Sequence, residues 1–403
     1  MKRFQLSWVV LGLFAISLQA KGSDWTQFRG PDGTGVSQEK GLPAKWGTDQ
    51  NITWKAPLPG RGLSSPVIIG NMVYITACSE REQGRLHVLA FDAKTGKELW
   101  RRSILATGGT ACHPKTNMAA PTPVGSEKGV VALYATADLV AYSPNGDLLW
   151  CRSLFAEDPA ISNQVGMASS LGLHRDTVLV EMETGSSSFI CGVDFSTGRE
   201  KWRHPRSKGV NWTSPTVVQQ KGVDVALFLA PSGLTACDPS TGKILWNYTE
   251  TPGGSIASAT ASEDLIISPG SPLVALKSAS TGTTPEVAWK SSKAGGTYCS
   301  PLVYEGKVYG VSAVGINCLD ATSGKEIWTH RVKGPFAGSP LIADGKLYLV
   351  NEEGLTTVLK VGGDKPEVLG NNKLGETILC TPAIAGGKIF LRSDSTLWCI
   401  GGK

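Results

Sequence analysis

Charge is scarce in this sequence: 18 % of the 403 residues are Asp, Glu, Lys or Arg, beside 41 % apolar residues. That balance excludes a disordered chain, which needs the reverse. The nine cysteines include no Cys-x-x-Cys-His run and no adjacent pair, so haem attached through that motif is excluded. No Gly-x-Ser-x-Gly occurs, which removes the hydrolase nucleophile elbow. Thr95-Gly96-Lys97 resembles part of a phosphate loop, but Glu98 stands where Ser or Thr is required. Beyond the N-terminus no apolar run approaches the roughly 20 residues of a membrane-spanning helix.

Met1-Lys2-Arg3 is a short positive head, Trp8 to Leu18 is almost wholly apolar, and Ala20 is a small residue before Lys21. This is the pattern of a signal peptide over residues 1–20. The mature chain, 21–403, is therefore expected to be exported, to the periplasm or outside the cell. No Cys follows the cleavage position, so there is no lipobox. Without Lys2 and Arg3 the chain has 37 basic against 34 acidic residues, a net charge of +3. That is too mild for a nucleic-acid partner. An odd number of cysteines leaves at least one outside any intramolecular disulfide. Cys191, Cys237 and Cys318 fall on inner positions of a repeat, where small apolar packing is the expected role.

The repeat is the dominant feature. Ala90-Phe91-Asp92-Ala93-Lys94-Thr95-Gly96-Lys97-Glu98-Leu99-Trp100 returns at Ala236 to Trp246 and, with small changes, at Cys318 to Trp328. Looser copies end at Trp150, Trp202 and Trp289. An apolar strand, an Asp that can bond turn N–H groups, a Gly able to take positive φ and a strand ending in Trp spell a hairpin. From Trp54 to Trp328 the tryptophans are spaced 46, 50, 52, 44, 43 and 39 residues apart. Such a period suits four short strands per unit, the size of a propeller blade.

Ser/Thr-Pro pairs mark the inner strands: Ser65-Pro66, Thr122-Pro123, Ser214-Pro215, Ser300-Pro301, Ser339-Pro340 and Thr381-Pro382, with Ser169-Ser170 and Ser258-Ala259 as degenerate copies. Eight starts predict eight blades, and Pro is tolerated at the first residue of a strand. Ile52 to Ala56 is an outer strand with no inner strands before it, while the last three C-terminal strands lack a fourth. The expected fold is thus an all-β, eight-bladed β-propeller of four-stranded blades in one domain. Its ring is closed by pairing about 46–56 with 376–403, which removes open edges.

The segments Ala90–Trp100 and Ala236–Trp246 resemble the tryptophan-docking motif of the quinoprotein-type eight-bladed β-propeller repeat family, and Trp25-x-x-Phe28-Arg29-Gly30 is similar to its opening segment. The resemblance covers roughly residues 24–403. It implies that Trp54, Trp100, Trp150, Trp202, Trp246, Trp289 and Trp328 are wedged between blades, where burial of each indole contributes much apolar area. It also implies two functions. One branch of the family comprises dehydrogenases that hold pyrroloquinoline quinone (PQQ) with Ca²⁺ on the axis and oxidise an alcohol or sugar. The other comprises BamB-like, non-catalytic scaffolds of outer-membrane protein assembly. Dehydrogenases of this type are usually longer, and many carry a vicinal Cys pair that this chain lacks. The resemblance therefore favours a scaffold with no cofactor, a monomer within an assembly that binds a protein or extended peptide, or a small anionic ligand.

The loops leading into the inner strands should form one mouth of the channel, and propeller sites live in such loops. The candidate binding residues there are Arg61, His113, Lys115, Asn117, Gln164, Lys208, Asn211, Trp212, Tyr298, Lys333 and Phe336. Cations beside flat rings and amides are the mix found at recognition surfaces. Glu376 is the one acidic residue in these loops, so the mouth reads as mildly basic and short of Ca²⁺ ligands. No catalytic or metal-binding residue is assigned. Glu181 and Glu183 alternate along a strand and read as a solvated face, and Glu352-Glu353 reads as a turn.

Overall fold

Asp92, Asp194, Asp238 and Asp320 each use one carboxylate oxygen to accept N–H groups two and three residues on. This Asx geometry closes the turn locally, and Gly96 follows it at φ 72°, a conformation that costs glycine nothing. The repeated sentence therefore becomes a repeated hairpin. A computed structural model describes residues 24–162, 165–250, 253–279, 282–296 and 298–402; the expected signal peptide lies outside them.

Eight blades of four antiparallel strands succeed one another round a ring, the seventh extended by a short parallel fifth strand. Blades 1 to 7 occupy residues 67–105, 124–153, 172–205, 216–248, 260–291, 302–331 and 341–373. Blade 8 takes Ala383–Ala385, Lys388–Arg392 and Thr396–Ile400 from the C-terminus and Ile52–Pro57 from the N-terminus, with Trp54 opposite Cys399. The predicted all-β, eight-bladed architecture and the closure of the ring are both observed. Inner strands are short, such as Val67–Ile69. Outer strands carry the tryptophans, as in Glu98–Leu105. No disulfide forms among the described residues, and seven of the nine cysteines are buried, Cys191, Cys237 and Cys318 among them.

Adjacent blades are locked by one contact repeated. The indoles of five of the seven docking tryptophans, Trp54, Trp100, Trp150, Trp202 and Trp289, lie over the turn glycine of the following blade. A β-carbon added at Gly96, Gly146, Gly198, Gly242 or Gly324 would come within 2.5–2.9 Å of Trp54, Trp100, Trp150, Trp202 or Trp289. The indole N–H then donates to a carbonyl of the same turn, Trp54 to Ala93 at 3.0 Å and Trp100 to Pro144 at 2.8 Å. Two residues after the tryptophan, Arg102, Arg152 and His204 reach the carbonyls of Gly146, Gly198 and Gly242.

Blade 7 departs from the pattern. The residue paired with Val358, where the other blades hold Trp, is Gly370. Trp46 from the N-terminal segment fills the place. Its ring stacks on Tyr348 at 6.3 Å between centroids, much as Trp328 meets Tyr309 at 5.9 Å in blade 6. Its backbone N–H donates to Asn372 Oδ1 at 2.9 Å, and the Ala44 carbonyl sits 2.1 Å from where a Gly370 β-carbon would be. Glycine is required there so that a second chain segment can lie flat on the blade.

Before reaching blade 7 the same N-terminal segment crosses the ring at the end away from the Ser/Thr-Pro starts. Trp25 bridges to Ile68 in blade 1, the Thr26 carbonyl accepts from Gly125 in blade 2, and Gln27 Oε1 accepts from Leu173 in blade 3. Arg29 donates to the Pro301 carbonyl ahead of blade 6, and Val36-Ser37 pairs with Ile342-Ala343 in blade 7. Residues 24–57 thus act as a belt across one end and over two blades.

Trp46→Ala should behave as a core truncation although Trp46 lies outside the repeat, costing about 3–5 kcal/mol in a denaturant titration. A loss below about 1 kcal/mol would show that blade 7 does not depend on the borrowed ring.

Candidate functional site

The residues that open the inner strands build the centre of the molecule. Ser65, Thr122, Ser170, Ser214, Ser258, Ser300, Ser339 and Thr381, one per blade, are all buried and all line one axial cavity of about 380 Å³. Seven successive hydrogen bonds join them. The backbone N–H of Ser65 donates to Thr122 Oγ1, that of Thr122 to Ser170 Oγ, and so on to Ser339 N–H and Thr381 Oγ1, at 2.9–3.1 Å. Each of those seven oxygens receives a neighbour's N–H and retains its own hydrogen to donate.

An extended backbone brings alternate side chains to one face, so the residues two positions earlier form a second tier. They are Leu63, Ala120, Ala168, Trp212, Ile256, Tyr298, Ala337 and Leu379, and all line the same cavity. This collar is lopsided. Large side chains stand on blades 4, 5 and 6, whereas alanines on blades 2, 3 and 7 leave room occupied by His113, Lys115, Val165 and Glu352. Phe28, from the crossing segment, closes the far end.

The rim is held by loop-to-loop contacts. Lys115 Nζ lies 2.9 Å from Glu352, joining the long loop before blade 2 to a turn of blade 7. His113 accepts the Lys115 N–H on Nδ1 at 3.1 Å, and its own backbone N–H donates to Val165 at 3.0 Å. Trp212 donates from Nε1 to Gly166 at 2.7 Å and from its backbone to Ser255 at 2.8 Å.

Of the expected binding residues, the structure brings His113, Lys115, Trp212 and Tyr298 together at this well. Arg61 lies 3.0 Å from Asp394 and Lys333 lies 2.6 Å from Glu353. Phe336 packs on the core shared by blades 6 and 7. Lys208 is exposed and does not line the cavity, Asn117 and Asn211 are wholly buried, and Gln164 lies outside the described residues. The expectation of a mildly basic mouth is corrected. Glu352, Glu353 and Asp394 sit in turns between second and third strands, which antiparallel pairing returns to the same end as the loops into the inner strands. They neutralise Lys115, Lys333 and Arg61.

The solvated face expected at Glu181 and Glu183 is also corrected, since both are buried. They lie on Thr177–Glu183, the second strand of blade 3, and the loop ahead of blade 4 covers them. Glu183 pairs with Arg206 at 2.7 Å. Glu181 Oε1 accepts from Asn211 Nδ2 at 3.1 Å, and its Oε2 lies 3.3 Å from Thr213 Oγ1, whose own hydrogen goes to the Leu229 carbonyl at 2.6 Å. Burial, then the neighbouring charge of Glu183, pushes the Glu181 carboxyl well above its ordinary range. The site therefore favours the neutral form of the Glu181 carboxyl. The cluster fixes Asn211 and Thr213, and between them Trp212.

A family model described as the outer membrane protein assembly factor BamB matches residues 33–180, 87–313 and 250–365. The chain belongs to this family. The overlapping matches reflect the internal repeat, one blade standing in for another. Among solved structures, BamB from Moraxella catarrhalis is 14 % identical, covering 87 % of this chain and 97 % of that one, with a TM-score of 0.62. The quinohemoprotein alcohol dehydrogenase from Comamonas testosteroni is 14 % identical over 94 % of this chain and 81 % of that one, with a TM-score of 0.69. A europium-containing methanol dehydrogenase is 13 % identical, covers 92 % and 89 %, and has a TM-score of 0.67. At these identities the likeness carries the fold alone. No curated protein matches the sequence at a significant level. Among the described residues, no group of three His, Cys, Asp or Glu side chains is placed to hold a metal ion.

The upward push on the Glu181 carboxyl has a consequence for stability against pH. Its folded pKa lies above the unfolded value near 4.5, so the stabilisation is complete at low pH and is lost as pH rises through the folded pKa. Glu181→Gln reproduces the neutral acid's hydrogen bonds without its titration. The variant should melt above the parent at about pH 8 and converge with it toward about pH 5. Parallel melting curves for the two proteins across that range would show that Glu181 does not titrate with folding.

Proposed function

We propose that this protein is an exported, non-catalytic scaffold that holds an extended polypeptide over the collar of the axial well. The collar is the observation that carries the reading: Trp212, Tyr298, Ile256, Leu63 and Leu379 offer apolar and aromatic area round a polar centre, the combination that concentrates binding energy at interfaces. Apart from His113, the charged groups near it are already engaged. Lys115 is paired with Glu352, Arg61 with Asp394 and Lys333 with Glu353. Glu376 accepts from Ser393, Ser395 and Thr396. None of these paired groups is left poised as a general acid or base. Membership of the BamB family supports the reading, and the apolar segment Trp8 to Leu18 supports export. Among the described residues no helix is long and apolar enough to cross a membrane.

The dehydrogenase alternative asks whether these residues fit a quinone held with a divalent cation. They do not. Ca²⁺ takes six to eight oxygen ligands with carboxylates among them, yet Glu352 is committed to Lys115 and Glu181 is buried behind the wall. Asn211 turns its amide nitrogen, not its oxygen, toward Glu181.

Two measurements test the proposal. Immobilised extended peptides should retain the parent protein but not Trp212→Ala/Tyr298→Ala, provided the double variant keeps the parent melting curve; equal retention would remove the collar as the site. Incubation with Ca²⁺ and PQQ, followed by desalting and dye reduction with alcohols and sugars, should give no turnover. Retained quinone with turnover would overturn the scaffold reading.

A further inference from the structure

The ring beneath the collar is chemically one-sided. Because seven of its oxygens already accept a backbone N–H, what they turn toward the axis is a circle of O–H donors. No hydrogen bond from any of the eight hydroxyls to another described residue is made, and each residue is at most 5 % exposed. A buried donor without an acceptor is costly, so the ring is built for an occupant that accepts hydrogen bonds. Convergent donors favour an anionic oxygen over a neutral one.

A second observation gives the same sign. Arg29 follows the floor residue Phe28, is 0 % exposed, and leaves Nε and Nη1 without partners. Its Nη2 donates to the carbonyls of Thr34 and Pro301, the latter next to Ser300 of the ring. No carboxylate bonds it. Burial draws its pKa down to about 9, which still leaves it charged at neutral pH. Asp32 lies near enough to favour its charge without hydrogen-bonding it, so a positive charge only partly offset lies just beyond the floor, where little water screens it. The single carboxylate in the cavity wall, Glu352, is neutralised at the rim by Lys115.

Above the donors the collar is apolar, and about 380 Å³ lies at the small end of the ~300–1,000 Å³ typical of ligand sites. We infer that the axial well takes a carboxylate at the end of a slender apolar chain, head down among the ring hydroxyls and stem against Trp212, Tyr298 and Leu379. A polypeptide C-terminus and a fatty acid share this chemistry. This inference rests on the scaffold reading in its polypeptide form, where the C-terminus is the natural occupant of the well.

The test uses the full chain and three probes: an N-terminally fluorescein-labelled hexapeptide ending in leucine with a free carboxylate, the same peptide amidated, and dodecanoate. Fluorescence anisotropy should show the free acid bound at least ten-fold more tightly than the amide. Ala337→Trp, which fills the collar, should abolish that preference. Should this variant melt below the parent, the acid-to-amide comparison on the parent protein still decides. Equal binding of acid and amide would overturn the carboxylate well while leaving polypeptide binding at the collar intact. Binding of dodecanoate with neither peptide would uphold the well and overturn the polypeptide as its source. Absence of binding by all three would overturn the inference.

Discussion

Everything in this molecule depends on a flat indole lying over a turn that has no side chain. The Trp54–Gly96 contact and its copies couple two facts about one short motif. The Asx turn that makes the hairpin also requires a residue tolerant of positive φ, and the bare surface of that glycine is what the preceding blade's indole covers. A β-carbon at Gly96 would meet Trp54 at 2.5 Å, so one residue satisfies a local backbone demand and a long-range packing demand together. Each motif is donor of a ring to one neighbour and acceptor of a ring from the other. The hairpin therefore propagates a ring rather than an open stack.

A closed ring has to solve its ends, and here both solutions come from residues 24–57. Ile52–Pro57 supplies the missing outer strand of blade 8, and Trp46 supplies the missing ring of blade 7. The belt is bound to blades far apart in sequence. Ordering it thus incurs a backbone entropy cost that only its own burial can offset. Trp25, Leu42, Trp46 and Trp54, all buried in one core with blades 1, 7 and 8, supply that burial.

The architecture was legible because it is written in local chemistry repeated many times. Asp-x-x-Thr-Gly gives a turn wherever it stands, and the Trp spacing counts blades without reference to anything distant. Trp46 was not legible, since its role is defined by an absence at Gly370 some three hundred residues away. The site was legible in part. Loops leading into inner strands could be picked from order along the chain, which found His113, Lys115, Trp212 and Tyr298. The turns carrying Glu352, Glu353 and Asp394 reach the same rim through strand pairing, so the charges of the mouth were half counted. Glu181 and Glu183 alternate as a solvated strand would, and only the covering loop with Asn211 makes them buried.

The hydroxyl ring shows why the Ser/Thr-Pro pairs carry more than a strand signal. Proline at the following position gives up an N–H that an inner strand could otherwise donate, and the Ser or Thr N–H before it is spent on the next blade's hydroxyl. The backbone round the axis is thereby satisfied from blade to blade, with the side-chain hydrogens left over. The eight hydroxyl positions vary only between Ser and Thr, and seven of them accept that N–H. The collar two residues earlier has no such duty and ranges from Ala to Trp. Structural constraint and freedom alternate residue by residue along the same strands. A single pleat thus separates the tier that holds the ring together from the tier that can be shaped for a ligand.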